Sequence, residues 1–73
     1  MQYERIRNLR EDSDLTQQQV ADKLFITRSA YSNYENGSRA FPLEILCGLA
    51  DIFGTSVDYL IGRTDTKKPY PKK

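Results

Sequence analysis

The sequence contains no histidine, and its only cysteine is Cys47. Zinc sites in proteins are built mainly from histidine and cysteine side chains, so a normal zinc site is excluded. A cysteine or serine nucleophile would also lack its usual histidine base. Glycine-rich loops of the kind that hold nucleotide phosphates are missing too. We therefore expect no enzyme activity, no metal, no cofactor and no small-molecule ligand.

The chain also lacks signs of export or membrane insertion. It has no apolar run of about 18 residues or more, which a spanning helix requires. Residues 1–5 are not followed by the apolar stretch of a secretory signal. One cysteine cannot form an internal disulfide, as is usual in a reducing compartment. We expect a cytoplasmic protein without a membrane partner. The helical position of Cys47 predicts that it is a small buried core residue.

Charge divides the chain into two parts. The 73 residues allow one domain with a small core. Residues 1–62 carry six Lys/Arg against nine Asp/Glu, a net charge of −3, whereas residues 63–73 carry five against one, a net charge of +4. The second part has two prolines and little apolar surface. We predict a helical domain over 1–62 and a flexible basic tail over 63–73.

Apolar spacing and capping signals predict an all-α fold of five helices. The first covers about residues 3–12, and its apolar positions share one face. Thr16 and Gln19 have the spacing of a capping box, which starts a second helix that ends near Leu24. Thr27 starts the third helix, and Asn36-Gly37 ends it. The short connection between the second and third helices predicts that they meet at a sharp angle.

Two further helices follow a loop. Pro42 suits the first turn of the fourth helix, and Gly54 closes it. Gly48 lies within this helix, where glycine costs roughly 1 kcal/mol relative to alanine. Ser56 caps a short fifth helix that ends at Gly62. The predicted inner stripe of the fourth helix consists of Leu43, Leu46, Cys47, Ala50 and Phe53.

The third helix has two chemically different faces. At about 100° per residue, the inner face is apolar, with Ala30, Tyr31 and Tyr34. The opposite face is polar and carries no carboxylate, and it consists of Arg28, Ser29, Ser32, Asn33 and Asn36. Such side chains can bind the edges of bases in the major groove, but the same composition is also typical of an ordinary solvated face.

Longer motifs decide between these interpretations. Residues 15–24 (LTQQQVADKL) and 26–37 (ITRSAYSNYENG) resemble the phage-repressor and Cro-type (Xre) helix-turn-helix family. Residues 6–10 (IRNLR) and 49–60 (LADIFGTSVDYL) extend the resemblance to about residues 3–62. It implies a compact five-helix, lambda-repressor-like DNA-binding domain whose helix-turn-helix is formed by helices 2 and 3. One residue departs from the pattern: the turn position after Leu24 is often glycine in the family and is Phe25 here. The Phe25 ring could lie near DNA or be buried between helices.

The resemblance also implies roles for individual residues. By position, the base-reading residues are Arg28, Ser29, Ser32 and Asn33. The corresponding DNA-backbone contacts are Gln17, Asn36 and Arg39, to which we add Gln18 beside the free N–H groups of the second helix. Arg10 and Glu35 match a structural pair between the first and third helices.

We therefore expect a sequence-specific DNA-binding transcriptional regulator, most simply a repressor, that binds double-stranded DNA. One recognition helix reads only half a site, so we expect a homodimer at least on DNA. The corresponding region in phage repressors gives the candidate dimer contacts Gly54, Thr55, Val57, Asp58 and Tyr59. The alternative is an antitoxin-like or antagonist module that uses the same helices to bind a protein, which the net charge of −3 favours slightly.

Overall fold

The computed structural model describes residues 3–69, and the regular elements of this part are five helices. They are α1 (Glu4–Asp12), α2 (Gln17–Leu24), α3 (Arg28–Glu35), α4 (Leu43–Phe53) and α5 (Val57–Leu60). The predicted all-α fold is confirmed, with helix ends that differ by one residue or so. Pro42 immediately precedes α4 as its N-cap and does not lie within the first turn. Within residues 3–69, no helix combines the length and apolarity needed to cross a membrane.

Side-chain caps start three of the helices where the sequence predicts them. The Gln19 N–H donates to Thr16 Oγ1 at 3.1 Å, and the Thr16 N–H donates to Gln19 Oε1 at 2.8 Å, so both halves of the capping box form. Thr27 Oγ1 accepts from the Ala30 N–H at 3.1 Å at the start of α3. Ser56 caps α5 in the same way. Local sequence thus determines where each of these helices begins.

The core draws one large, fully buried side chain from each helix. These are Ile6, Val20, Tyr31, Leu49 and Leu60. The loop after α3 adds Phe41, whose ring centroid lies 5.8 Å from that of Tyr3 and 5.5 Å from that of Tyr34. Helix α2 packs on α3 and α4, while α1 packs on α4 and α5. Because α3 packs on α2, its position relative to α2 is fixed by the core.

The predicted inner stripe of α4 was out of phase. Leu46 and Ala50 are buried as expected, but Cys47 is exposed, so the prediction that Cys47 is a core residue was wrong. Leu43 is also exposed, with 68% of its surface accessible. Leu49, which the predicted stripe omitted, is fully buried and centres the inner face at about 160° from Cys47. The apolar spacing of α4 fits both stripes, and only packing against α1, α2 and α5 distinguishes them.

Gly48 within α4 and Gly54 at its C-cap have clear steric roles. Gly48 lies against α2, because a Cβ at this position would be 2.6 Å from Leu24 Cδ2. Glycine lowers the intrinsic stability of α4 at this position, but its missing side chain lets α2 and α4 approach closely. Gly54 ends α4 with φ of 63°, in the left-handed region that glycine adopts without strain.

Candidate nucleic-acid interface

The exposed end of α3 carries the predicted base-reading residues. Arg28 and Ser29 are exposed, while Ser32 and Asn33 further along the helix are half-buried. On the opposite face Tyr31 is fully buried. The first turn of α3 is therefore the more exposed part of this face, with one guanidinium and one hydroxyl at the surface.

The predicted backbone-contacting residues surround the start of α2 and the loop after α3. Gln18 Nε2 donates to Asp22 Oδ1 at 2.7 Å. At the end of α3, Asn36 Oδ1 accepts from the Ser38 N–H at 2.9 Å. The Arg39 N–H donates to Asn33 O at 3.1 Å and anchors the loop, while the Arg39 side chain is exposed. The start of α2 and the loop after α3 thus both lie at the C-terminal end of α3.

A buried ionic network fixes α3 against α1. Arg10 Nε and Nη2 donate to the two oxygens of Glu35, each at 2.9 Å, and Arg10 Nη1 donates to Leu15 O at 2.9 Å. The side chains are only 13% and 5% exposed. A bidentate pair of this kind fixes both distance and orientation. The structure thus brings together the two residues that the family resemblance paired.

Two residues outside that predicted pair complete the network. The Tyr31 hydroxyl donates to Glu35 Oε2 at 2.5 Å, and Gln17 Nε2 donates to Glu35 Oε1 at 3.3 Å. Tyr31 and Glu35 are four residues apart on α3, which is a spacing that could have indicated the contact. No sequence signal points to the bond from Gln17. One carboxylate therefore connects α1, the start of α2 and α3.

The charge states of the network follow from these contacts. Burial alone would raise the pKa of Glu35, but hydrogen bonds from Arg10, Tyr31 and Gln17 outweigh it and hold the pKa below its ordinary value. The hydrogen bond to Glu35 raises the pKa of Arg10 despite burial. Burial, followed by the bond to Glu35, raises the pKa of the Tyr31 hydroxyl. At neutral pH the pair is ionised and Tyr31 is a neutral donor.

A polar cleft of about 350 Å³ opens beside this network. It lies where α1, the start of α2 and the end of α3 meet. Its lining combines cationic, anionic and amide groups, from Tyr3, Glu4, Arg7, Arg10, Gln17, Glu35 and Asn36. Predicted backbone contacts Gln17 and Asn36 therefore share one concave surface. Within residues 3–69, no group of three or more His, Cys, Asp or Glu side chains could hold a metal ion.

A second arginine of α1 forms contacts that the sequence did not indicate. Arg5 Nη1 donates to Tyr59 O at 3.1 Å and to Thr64 O at 2.5 Å, and Nη2 contacts Asp65 Oδ1 at 2.5 Å. Its guanidinium carbon lies 4.4 Å above the centre of the Tyr59 ring. Thr55 Oγ1 donates to Lys67 O at 2.7 Å. We call these contacts of Arg5 and Thr55 with residues 64–67 the C-terminal clasp.

The clasp lies beside the predicted dimer contacts. Gly54 is exposed, Val57, Asp58 and Tyr59 are half-buried, and Thr55 is buried. Pro69 lines an open groove of about 590 Å³ together with residues of α4 and α5 that include Cys47, Ala50 and Val57. Residues 63–69 contain no helix or strand. The domain boundary at 62 and the flexibility of the tail stay predictions, and residues 70–73 of that tail lie outside the described residues.

Comparison with known proteins places this arrangement in a family. Residues 6–60 match the family model described as helix-turn-helix. The chain is 42% identical over 69 residues to the uncharacterized HTH-type transcriptional regulator YobD of Bacillus subtilis, covering 94% of this chain and 62% of YobD. It is 40% identical over 72 residues to the HTH-type transcriptional regulator AnsR of the same organism, covering 99% and 62%.

A phage protein is similar as well. The cryptic phage CTXphi transcriptional repressor RstR of Vibrio cholerae is 38% identical over 63 residues, covering 86% of this chain and 56% of RstR. The chain thus spans about three-fifths of the length of the curated relatives it matches. No solved structure gives a significant match. The predicted resemblance is confirmed, and the chain belongs to the Xre-type helix-turn-helix family.

Proposed function

We propose that this protein is a DNA-binding transcriptional regulator that acts as a repressor by inserting the first turns of α3 into the major groove. The observation that carries the proposal is the exposed, carboxylate-free face of α3, which is fixed by the Glu35 network and by packing on α2. Relatives named as transcriptional regulators, RstR among them as a repressor, support the same conclusion. The role is binding and not catalysis.

Base recognition would be divided along α3. Arg28 can donate two hydrogen bonds to guanine, and Asn33 can pair with adenine through its amide. Ser29 and Ser32 have hydroxyls that suit several base edges. Because Arg28 and Ser29 are the more exposed pair, we expect them to reach deepest into the groove. Ser32 and Asn33 would contact bases nearer the edge of the half-site.

Backbone contacts would fix the register of α3 on the duplex. The side-chain nitrogen Nε2 of Gln17 already donates to Glu35. We therefore expect Gln17 to bind phosphate mainly through its backbone N–H at the start of α2. Gln18 lies on the same turn. Asn36 and Arg39, which follow the C-terminal end of α3, would contact further phosphates, and the arginine supplies the positive charge there.

Two copies would bind one pseudo-palindromic site through the α4–α5 surface that includes Gly54, Thr55, Val57, Asp58 and Tyr59. Half-sites would then lie roughly one helical turn apart. Sedimentation of the protein–duplex complex at protein excess tests this stoichiometry. A strict one-to-one complex on the full site would contradict the dimer. We place this activity in the cytoplasm, where an exposed thiol such as that of Cys47 stays reduced.

Selection of bound sequences from a random duplex pool tests the proposed function. The selected duplex is then titrated with Arg28→Ala and Asn33→Ala, each expected to weaken specific binding by about 1–3 kcal/mol. Non-specific binding should change less, particularly for the uncharged Asn33. Arg63→Ala is the matched control, because it removes one exposed charge from outside α2 and α3. Failure to select any sequence would contradict the proposal and favour the protein-binding alternative.

A further inference from the structure

The connection between α2 and α3 carries an unusual residue for its backbone conformation. Phe25 caps α2 with φ of 59° and ψ of 39°, in the left-handed region. Gly54 adopts nearly the same angles, 63° and 42°, at the end of α4. Side chains with a Cβ are strained in this region, whereas glycine is not. The chain therefore has a bulky aromatic residue where the local geometry favours glycine.

The ring of Phe25 also gains nothing from packing. It is 95% exposed, the most exposed large hydrophobic side chain in residues 3–69. Its neighbours Leu24 and Ile26 both pack against the core. An apolar ring in water and a strained backbone are two separate costs, and no contact within the described part of the molecule offsets either. Residues held at such a cost commonly serve binding.

The turn that carries Phe25 is held in place on both sides. The Phe25 N–H donates to Asp22 O at 3.2 Å, and the Ile26 N–H donates to Ala21 O at 3.0 Å. The ring therefore projects from a fixed backbone. A phenylalanine side chain has only two χ angles to order when a partner covers it, so the entropic cost of covering it is low.

The position of Phe25 identifies the partner. Phe25 is three residues before Arg28, so their Cα atoms are separated by at most about 11 Å. Arg28 and Ser29 form the exposed first turn of α3 that the proposed function inserts into the major groove. The apolar group that a major groove presents at a base edge is the 5-methyl of thymine, and phenylalanine is one of the side chains that contact it.

We propose that Phe25 is a specificity-determining residue that packs against the 5-methyl group of a thymine beside the bases contacted by Arg28. This inference depends on the proposed DNA-binding function. It assigns a base preference to the α2–α3 turn, in addition to the preferences that the side chains of α3 provide. The contact requires no hydrogen bond, so it distinguishes thymine from uracil by a single methyl group.

Replacing each thymine of the selected duplex in turn by deoxyuridine tests this contact. Losing one buried methyl group is expected to weaken binding by the wild-type protein about fourfold at one thymine. Phe25→Ala should bind the thymine duplex several-fold more weakly and should show no difference between thymine and uracil there. Phe25→Leu, which keeps an apolar side chain, should retain part of the discrimination.

Two controls separate the contact from effects on folding. Phe25→Gly relieves the backbone strain, so it should raise the melting temperature and yet lose the discrimination at that thymine. Leu43→Ala removes the other large hydrophobic side chain that is exposed within residues 3–69 and should retain the wild-type discrimination. Circular dichroism verifies that each variant is folded.

The outcomes distinguish this inference from the proposed function. If the wild type binds its selected duplex but Phe25→Ala keeps the same affinity and the same thymine preference, the contact with DNA is wrong and a protein partner for Phe25 becomes the better explanation. If no thymine is sensitive to loss of its methyl group, the inference is also wrong. If the wild type selects no duplex at all, the proposed function fails and this inference with it.

Discussion

Arg5 and Arg10 lie on the same helix, α1, but hold different parts of the molecule by different means. Arg10 forms a bidentate pair with Glu35 on α3, and both side chains are almost fully buried. Arg5 contacts two backbone carbonyls, the ring of Tyr59 and the carboxylate of Asp65, and 97% of the Asp65 side chain is exposed. One arginine is enclosed in an ionic network, and the other bridges the surface.

This difference predicts unequal energetic roles. Removing one partner of a buried ion pair leaves the other charge unpaired in a poorly solvated site, which is strongly destabilising. Exposed ion pairs contribute little, because water and salt screen them. The Glu35 network should therefore control both the stability of the fold and the orientation of α3. The C-terminal clasp should control mainly the position of residues 64–67.

Arg10→Met should have the largest effect. It leaves the carboxylate of Glu35 buried without its main cation, so we expect a loss of about 3–5 kcal/mol in the free energy of unfolding. Urea denaturation at low temperature measures it. Arg7→Met is the matched control on α1, because the Arg7 Nε lies 3.7 Å from Glu11 in an exposed pair, and it should change stability by less than about 1 kcal/mol.

A charge-free version of the network sharpens the same prediction. The combination of Arg10→Met, Glu35→Leu and Tyr31→Phe removes both charges and the hydroxyl that would otherwise lose its acceptor. Leu15 O and Gln17 Nε2 each lose a partner, but both residues are only half-buried and no unpaired charge remains, so stability should recover much of the loss caused by Arg10→Met alone. Additive losses across the three substitutions would show that the network is not coupled. DNA affinity should remain reduced if the ionic bonds also orient α3.

Acid should weaken the network next. The pKa of Glu35 is lower in the folded protein than its ordinary value of 4.5, so this group stabilises the fold fully above pH 4.5. The contribution falls as the pH decreases through the folded pKa, because protonation then removes the charge that Arg10 requires. Urea denaturation between pH 6 and pH 3 should show a steeper loss for the wild type than for Glu35→Gln. Equal slopes would mean that folding does not lower the pKa of Glu35.

Tyr31→Phe should have an intermediate effect. It keeps the buried ring and removes one hydrogen bond to a charged acceptor, which typically contributes about 1.5–3 kcal/mol. Tyr34→Phe on the same helix is the control, since it changes a half-buried ring that packs on Phe41 and should alter stability less. A loss for Tyr31→Phe no larger than for Tyr34→Phe would show that the hydroxyl does not support Glu35.

The two arginines also show what the sequence could predict. Caps at Thr16, Thr27 and Ser56 are local signals, so the helix starts were predictable to within a residue. The Arg10–Glu35 pair was inferred from family resemblance, because residues 25 positions apart leave no local pattern.

Predictions that depended on tertiary packing were less successful. The face of α4 was misassigned at Cys47, because its apolar residues are compatible with two stripes that only the neighbouring helices distinguish. The contacts of Arg5 join residues 54 to 60 positions apart without a motif, and the exposure of Phe25 could not be predicted either. For α4 and Arg5 the deciding contacts come from residues that are distant in the sequence. For Phe25 no side chain of the described residues packs on the ring.

The C-terminal clasp gives the smallest expected effect and the most direct test of the comparison. Truncation after Gly62 removes the carbonyl of Thr64 and the carboxylate of Asp65 from Arg5, and the carbonyl of Lys67 from Thr55. These bonds are partly exposed, so we expect the truncation to lower the free energy of unfolding by about 1–2 kcal/mol in total. Asp65→Asn alone should lower it by less than about 1 kcal/mol, and by less still at high salt.

Arg5→Ala should cost about as much as the truncation, since it also loses the contact with the Tyr59 ring. Thermal melts of the two variants and of their combination decide the point, because both changes break the same contacts and their effects should be less than additive. Fully additive effects would show that the removed residues do not act through Arg5. An unchanged melting temperature of the truncated protein would show that residues 63–73 behave as the flexible tail predicted from the sequence.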